Sequence, residues 1–396
     1  MTIPNLLTFG FDSDHQAVYD LAYRYAQDNL YSLCEKMDNE EWFPDNEFRS
    51  MAEAGLLGVT VPVHYGGGGM DVLYQCFVCE AIAYWNHTLA ASVLASDNLC
   101  VDNLVRNGND LQKEQYLSKF CDGSYIGALG MTEPGAGSDA LGSMSTTAKR
   151  VGDEYILNGR KLYITNGPVA DVLLVYAKTD KEKNKHGISA FLVEKDFEGF
   201  SVAQKLDKMG WRGSPTGELV FDDCRVPAGN LVGEENRGNV IMMSGLDVER
   251  VIGAFYALGI TQRALGLSLE YARDRKQFGV SIGNFQMIQA LLADMYTDLE
   301  TMRALTYQLG REIQNIGRGE GGRGVVHKRS AAAVLHAGRA SMRVLDSAVQ
   351  IHGGMGFMRE SEVNRLYRSG KVLEIGAGTN QVRQLIVATE LLKESA

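Results

Sequence analysis

From Ser244 to Gly253 the chain reads Ser-Gly-Leu-Asp-Val-Glu-Arg-Val-Ile-Gly. The run from Asn239 to Asp274 around it holds no proline. Its apolar residues recur at helical spacing, which predicts one long, largely buried helix. Glu249 lies within it, with Gly245 and Gly253 one turn away on the same face. Glycine inside a helix costs about 1 kcal/mol relative to alanine, so two of them flanking a carboxylate predict cleared space beside it. A carboxylate in an apolar, partly dry pocket has a raised pKa, which suits a general base working near neutral pH. A helical glutamate is ordinarily a solvated face residue, so the rest of the chain must decide this one.

Outward from that helix, three textures alternate. Residues 1–123 read as an N-terminal helical domain: an amphipathic helix over 14–39 with Asp14 as N-cap, a short helix over 44–54 ending at Gly55, then helices over 72–85, 89–106 and 113–120. His64 to Gly69 is a loop, since four consecutive glycines do not hold regular structure. Residues 124–235 alternate in polarity and read as a middle β domain, with strands over 172–177, 188–193 and 218–221 and a hairpin turning at Asn158-Gly159. Asp180 to His186 is a charged surface loop. Residues 236–396 return to helices, with breaks at 279–284, 317–324 and 352–356 and a last helix over 380–393. The Gly319–Gly324 stretch follows no strand, so it is a connection and not a phosphate cradle.

Composition narrows the function. The 396 residues imply two or three domains, and a net charge of −10 without a basic block argues against nucleic acid as a partner. No apolar run approaches the roughly 18 residues of a membrane span. Neither a signal peptide nor a transit peptide is evident at the N-terminus, so a cytoplasmic location is expected, or the mitochondrial matrix if a transit peptide has been removed. The six cysteines are few for the length and sit mostly in apolar contexts, as reduced thiols do. Cys76-Phe77-Val78-Cys79 has C-x-x-C spacing but lies inside a helical pattern with no second pair, so no metal site is assigned.

Five stretches, in order along the chain, carry a family resemblance. Met131-Thr132-Glu133-Pro134-Gly135-Ala136-Gly137-Ser138-Asp139 resembles the flavin loop of acyl-CoA dehydrogenases. Tyr163-Ile164-Thr165-Asn166-Gly167 is similar to their W-I-T-N-G strand end, with Tyr163 in place of the usual Trp. Arg273 to Gly279 is similar to their R-x-x-F-G motif, Gln350 to Gly354 to Q-x-x-G-G, and Gly378 to Gln381 to the final G-T-x-Q. The resemblance implies an α+β, mostly helical fold: an N-terminal helical domain, a middle β-barrel-like domain and a C-terminal four-helix bundle, assembled as a homotetramer. It implies FAD held by Leu129, Met131, Thr132, Gly137, Ser138, Tyr163, Ile164, Thr165, Thr379, Asn380 and Gln381. It adds Gln277, Phe278, Gln286, Gly353 and Gly354 to the FAD contacts, with Arg275 and Gln350 reaching the FAD of a neighbouring subunit.

Most of this family places its catalytic Glu in an E-G-T motif near the C-terminus. Here the matching run is Gly376-Ala377-Gly378-Thr379, with Ala377 at the Glu position. The isovaleryl-CoA branch has that arrangement together with L-x-x-E-R in the long helix, and Leu246 to Arg250 matches it. The resemblance therefore implies Glu249 as the base and an acyl-CoA thioester whose carbonyl is polarised by the Ala377 N–H. Electrons would pass through FAD to an electron-transfer flavoprotein. Gly376 in place of a bulky residue leaves volume for a substrate branched near its reacting carbons. Val240, Gly378, Ser138, Lys185 and His186 are candidate contacts to the acyl-CoA, and Asp247 and Arg250 are expected to aim away from Glu249 toward the CoA arm. Leu94 stands where that branch has Gly, which leaves chain length open. A second reading keeps fold, flavin and base but takes an acyl or aminoacyl group from a carrier protein. A third is a non-catalytic binding protein, which the presence of Glu249 argues against.

Overall fold

The computed structural model describes residues 4–314 and 322–394. Short helices come first: α1 (Ser13–Tyr25), α2 (Cys34–Glu40) and α3 (Asn46–Glu53). The single helix expected over 14–39 is interrupted by a π-helical turn over 26–30 and a 3-10 turn over 31–33. Its N-cap is Asp12, not Asp14: the Asp12 carboxylate accepts from the N–H groups of Asp14 and His15. Two helices expected separately are one, α4 (Val72–Val93), bent at Asn86, where φ is −137° and ψ 81°. Asn86 Oδ1 accepts from the Leu89 N–H at 2.9 Å, so a side chain caps the second half from inside the helix. A π-helical stretch over 94–102, α5 (Asn103–Asn107) and α6 (Asp110–Cys121) follow. Nearly all of α4 is buried, because α1 covers one side and the long helix of the C-terminal part another.

Strands β1 (Gly127–Gly130), β2 (Thr147–Val151), β3 (Glu154–Thr165), β4 (Val172–Lys178), β5 (Ile188–Glu194), β6 (Phe200–Lys205), β7 (Thr216–Pro227) and β8 (Leu231–Val232) form one mixed sheet. Its order is β6-β7-β3-β2-β4-β5-β8, with β1 parallel to β4. The hairpin turn expected at Asn158-Gly159 is absent. β3 runs straight through that dipeptide, with a bulge against β7 between Leu157 and Gly159. Gly159 has φ 151°, and a Cβ there would fall 2.5 Å from Thr146 Oγ1. Asn158 exchanges two hydrogen bonds with Asp223, each 2.9 Å. The pair thus admits the neighbouring chain and anchors the bulge, while the actual β2–β3 turn falls at Gly152, φ 61°.

The C-terminal part opens with α7 (Gly238–Asp274), the long helix predicted above. A small hairpin, β9 (Lys276–Gln277) and β10 (Val280–Ser281), leads into α8 (Gln286–Ile313) and α9 (Gly324–His352). Then come α10 (Gly354–Phe357), α11 (Glu362–Gly370) and α12 (Asn380–Glu394). α7, α8 and α9 pack on one another and α12 packs on α9, making the four-helix bundle. The Gly319–Gly324 connection lies largely outside the described residues. All six cysteines are free and buried. Among the described residues, no helix is long and apolar enough to cross a membrane.

Candidate active site

Glu249 sits three turns into α7, where the helix packs on the π-helical stretch over 94–102 and on α9. The residue is partly buried, but its Oε2 meets neither solvent nor any hydrogen-bond partner. Burial pushes its pKa up to about 7, against a smaller opposing pull from Arg250 and Arg383. The two flanking glycines do different things. A Cβ on Gly245 would fall 2.8 Å from both Nδ2 and Oδ1 of Asn103, so that space is filled by the Asn103 amide and not open to a ligand. At Gly253 a Cβ would meet only Val334 Cγ2, in ordinary contact at 3.8 Å, so this is the less filled, more open side.

The expected outward aim of Asp247 and Arg250 is corrected. Both are buried, at 1% and 3% exposure, and bonded to each other at 2.9 Å. Asp247 Oδ1 also meets His327 Nδ1 at 2.6 Å, and its Oδ2 accepts from the Gly322 N–H at 2.6 Å. The pair is therefore turned into the protein, where Arg250 Nε remains without a partner among the described residues. Val240, two turns earlier, is half-buried.

The Gly376–Gln381 run crosses the same neighbourhood. Ala377 takes φ 54° and Gly378 φ 89°, a left-handed pair. The Gly376 N–H donates to the Val372 carbonyl at 2.7 Å, and the Ala377 N–H has no acceptor among the described residues. A Cβ on Gly376 would meet only ordinary contacts, 3.4 Å or more away. Thr379 Oγ1 accepts from the Val382 N–H at 3.2 Å and so caps α12, and Gln381 is exposed. Asn380 does not face a ligand: it is buried, donating to Glu374 at 3.1 Å and accepting from Arg383 at 3.1 Å.

The residues proposed for FAD fall into two sets. In the first, Leu129, Met131 and Thr132 are half-buried, while Pro134, Gly135, Gly137 and Ser138 are exposed, with open space over both glycines. Across from them the Tyr163 ring is 66% exposed at φ 62°, Thr165 is half-buried, and Ile164 turns into the core. Asn166 ties this edge down by donating to the carbonyls of Ser92 and Gly127 at 2.8 and 3.1 Å. An open shelf with two hydroxyls, unengaged backbone N–H groups and an aromatic face fits a flavin's polar edge and a pyrophosphate. The second set is elsewhere. Arg275, Gln277, Gln286, Gln350, Gly353 and Gly354 are exposed, and Phe278 is 94% exposed. They share the end of the bundle where Tyr271 stacks on His352 at 4.3 Å. Arg275 lies 26 residues beyond Glu249, about 39 Å along the helix. One flavin beside Glu249 therefore does not touch both sets.

Sequence reasoning missed two positioning groups. Glu133, in the flavin loop, is buried against Lys161 at 2.8 Å and accepts from the Ser145 N–H and hydroxyl and from the Thr146 N–H. Burial alone would raise its pKa, but Lys161 and these donors hold it well below the usual range, at about 2. The pair fixes the loop from beneath. The other group is Arg383, described below. Lys185 and His186 are exposed on the turn before β5, which packs on α7, the helix that carries Glu249.

Models of the acyl-CoA dehydrogenase N-terminal, middle and C-terminal domains match residues 12–124, 128–224 and 236–392. The chain belongs to the acyl-CoA dehydrogenase family. It is thus an oxidoreductase with FAD as its cofactor, and the first set of residues above is where this structure offers a flavin shelf. Isovaleryl-CoA dehydrogenase of Arabidopsis thaliana is 44% identical over 97% of this chain and 92% of its own length. Butyryl-CoA dehydrogenase from Megasphaera elsdenii superposes with a TM-score of 0.91 at 36% identity, covering 99% of this chain and 100% of that one. A structure described as PigA with FAD and proline superposes with a TM-score of 0.91 at 29% identity, over 97% and 99% of the two chains. Both of the latter share the three-part acyl-CoA dehydrogenase architecture at full length.

Proposed function

We propose that this acyl-CoA dehydrogenase oxidises a short acyl-CoA branched at C3, isovaleryl-CoA in its simplest form, to the trans-2-enoyl thioester. The observation that carries the reading is the buried, unpartnered Oε2 of Glu249 beside a turn that has Ala377 where the family's other base stands. Glu249 takes the α-proton; with a pKa of about 7 it is half-ionised near neutrality and a stronger base than a solvated carboxylate. The Ala377 N–H donates to the thioester carbonyl oxygen and stabilises the enolate-like charge that develops there. FAD, when bound, supplies the acceptor for the β-hydride. An apolar acyl chain expels water from around Glu249 and keeps the proton from returning to solvent. Gly376 adds only a hydrogen to the pocket wall, which supports room for a branch.

The same reading assigns the CoA contacts to Ser138, Lys185 and His186. It assigns electron acceptance from the reduced cofactor to an electron-transfer flavoprotein. It also takes the chain as a homo-oligomer, a homotetramer in the family's manner, because the set around Arg275 and Gln350 begins about 39 Å along the helix from Glu249, beyond the reach of the flavin beside that residue. The test is anaerobic addition of isovaleryl-CoA, 2-methylbutyryl-CoA, butyryl-CoA and octanoyl-CoA to the purified flavoprotein. Flavin bleaching fastest with isovaleryl-CoA is expected. Faster bleaching by octanoyl-CoA, or none by any of the four, refutes the substrate assignment.

A further inference from the structure

Arg383 is the largest fully buried side chain in the described structure. Its Nη1 donates to the carbonyl of Leu373 at 2.6 Å, to Asn380 Oδ1 at 3.1 Å and to the carbonyl of Val334 at 3.4 Å. Its Nη2 donates to the Gly376 carbonyl at 2.6 Å. These acceptors bracket the Ala377–Gly378 turn on both sides. A left-handed alanine is strained by roughly 1–3 kcal/mol and persists only where its surroundings over-determine it. Here one guanidinium grips the turn before and after the strained residue. Val334 also faces the open side of Gly253, so the same arginine borders the space next to Glu249.

We propose that Arg383 is a positioning residue for the reaction assigned above: it holds the Ala377 N–H toward the thioester and tunes the proton affinity of Glu249 from a fixed distance. The proposal rests on Glu249 being the base. The groups facing Glu249 are few. Arg250 follows it on α7, with Asp247 and His327 behind it. Arg383 comes from α12 and Tyr176 from β4. Arg250 exerts the larger pull on Glu249 and is bonded to Asp247, whereas Arg383 is bound only to uncharged acceptors, so its charge is not shared with a carboxylate partner. A lysine would keep the charge but not the two-armed grip, because an ammonium cannot match the planar fork.

The test compares Arg383→Lys and Arg383→Gln in the FAD-loaded protein. One readout is single-turnover flavin reduction by isovaleryl-CoA between pH 6 and 9. The other is the infrared titration of the Glu249 carboxyl, identified by its loss in Glu249→Gln. In Arg383→Gln the acid limb and the carboxyl titration both move up by about one pH unit, which lowers the rate at pH 7 about fivefold through protonation alone. In Arg383→Lys both stay near the parent, while the plateau rate at high pH falls at least about tenfold because the turn is no longer gripped. Two variants that lose thermal stability but keep the parent's plateau rate and carboxyl titration overturn the proposal. If Arg383→Gln does not accumulate, Arg383→Lys decides alone, and a plateau within about twofold of the parent overturns it. The infrared titration needs no turnover. A shifted titration in a protein that oxidises none of the acyl-CoAs would sink the proposed substrate and leave the hold of Arg383 over Glu249 standing.

Discussion

Replacing Glu249 by Gln keeps the shape of the side chain and removes its charge, and the structure assigns this change two separable consequences. The first is kinetic. General-base removal costs about 10²–10⁴-fold, so anaerobic flavin reduction should collapse while FAD and enoyl-CoA binding persist. The parent's rate should itself fall about tenfold from pH 8 to pH 6, because a base titrating near 7 is about nine-tenths ionised at the first pH and one-tenth at the second. The second is thermodynamic. Burial raises the Glu249 pKa from 4.5 to about 7, so the folded state holds more protons than the unfolded one between those values. Stability therefore falls as pH rises through that window, and the whole penalty is present above pH 7. Its size is about 3 kcal/mol at 1.36 kcal/mol per unit. Gln carries no such dependence, though its buried amide brings a constant cost. The stability of Glu249→Gln minus that of the parent should thus grow by about 3 kcal/mol between pH 4.5 and 7.5, whatever its starting value. Urea midpoints at several pH values measure it. A flat difference across that range, with flavin still bound, would refute the claim that burial of this carboxyl, with its Oε2 unpaired, raises its proton affinity.

Four further outcomes follow from particular contacts. Gly376→Tyr should depress flavin reduction by isovaleryl-CoA at least about tenfold more than by butyryl-CoA, since it fills the branch side of the pocket; equal losses would remove Gly376 from the acyl wall. Lys161→Met should destabilise the protein by about 3–5 kcal/mol and lower FAD content, because it strands a buried Glu133 carboxylate; Glu133→Gln added to it should recover part of both, read by melting temperature and flavin absorbance. Arg275→Ala should lower FAD occupancy and tetramer content together in sedimentation, and a fully flavinated monomer would contradict the neighbouring-subunit role. Gly245→Ala should cost about 1–3 kcal/mol by driving a methyl into Asn103, whereas Gly253→Ala, whose methyl meets only Val334 in ordinary contact, should gain up to about 1 kcal/mol of helix stability and slow turnover.

The long helix α7 was legible because its signal is local: no proline from Asn239 to Asp274 and an apolar period throughout. The family's motifs were legible because each is a short run. What escaped is set by residues far apart in the chain. Asn158-Gly159 carries the strongest short hairpin signal there is, yet Thr146 and Asp223 use it for a bulge. Gly245 and Gly253 look alike in sequence, and only Asn103 distinguishes the filled side from the open one. Asp247 and Arg250 read as contacts to the CoA arm, and only the contact of Asp247 with His327, 80 residues on, marks them as a buried pair. Glu133 and Lys161, 28 residues apart, share no period at all.

These long-range pairings also account for the base. Two arginines lie near Glu249, and a carboxylate with a free guanidinium beside it would pair and drop its pKa below the working range. Both arginines are held through their Nη atoms, with each Nε left without a partner among the described residues. Arg250 is taken by Asp247, and Arg383 by the carbonyls of Leu373, Val334 and Gly376 and the Asn380 amide oxygen. Each therefore acts on Glu249 as a held charge and not as a partner, enough to temper the effect of burial without cancelling it. A glutamate that is solvated in most helices is suited to the proposed role of base here because, among the described residues, the two arginines near it are held by other groups.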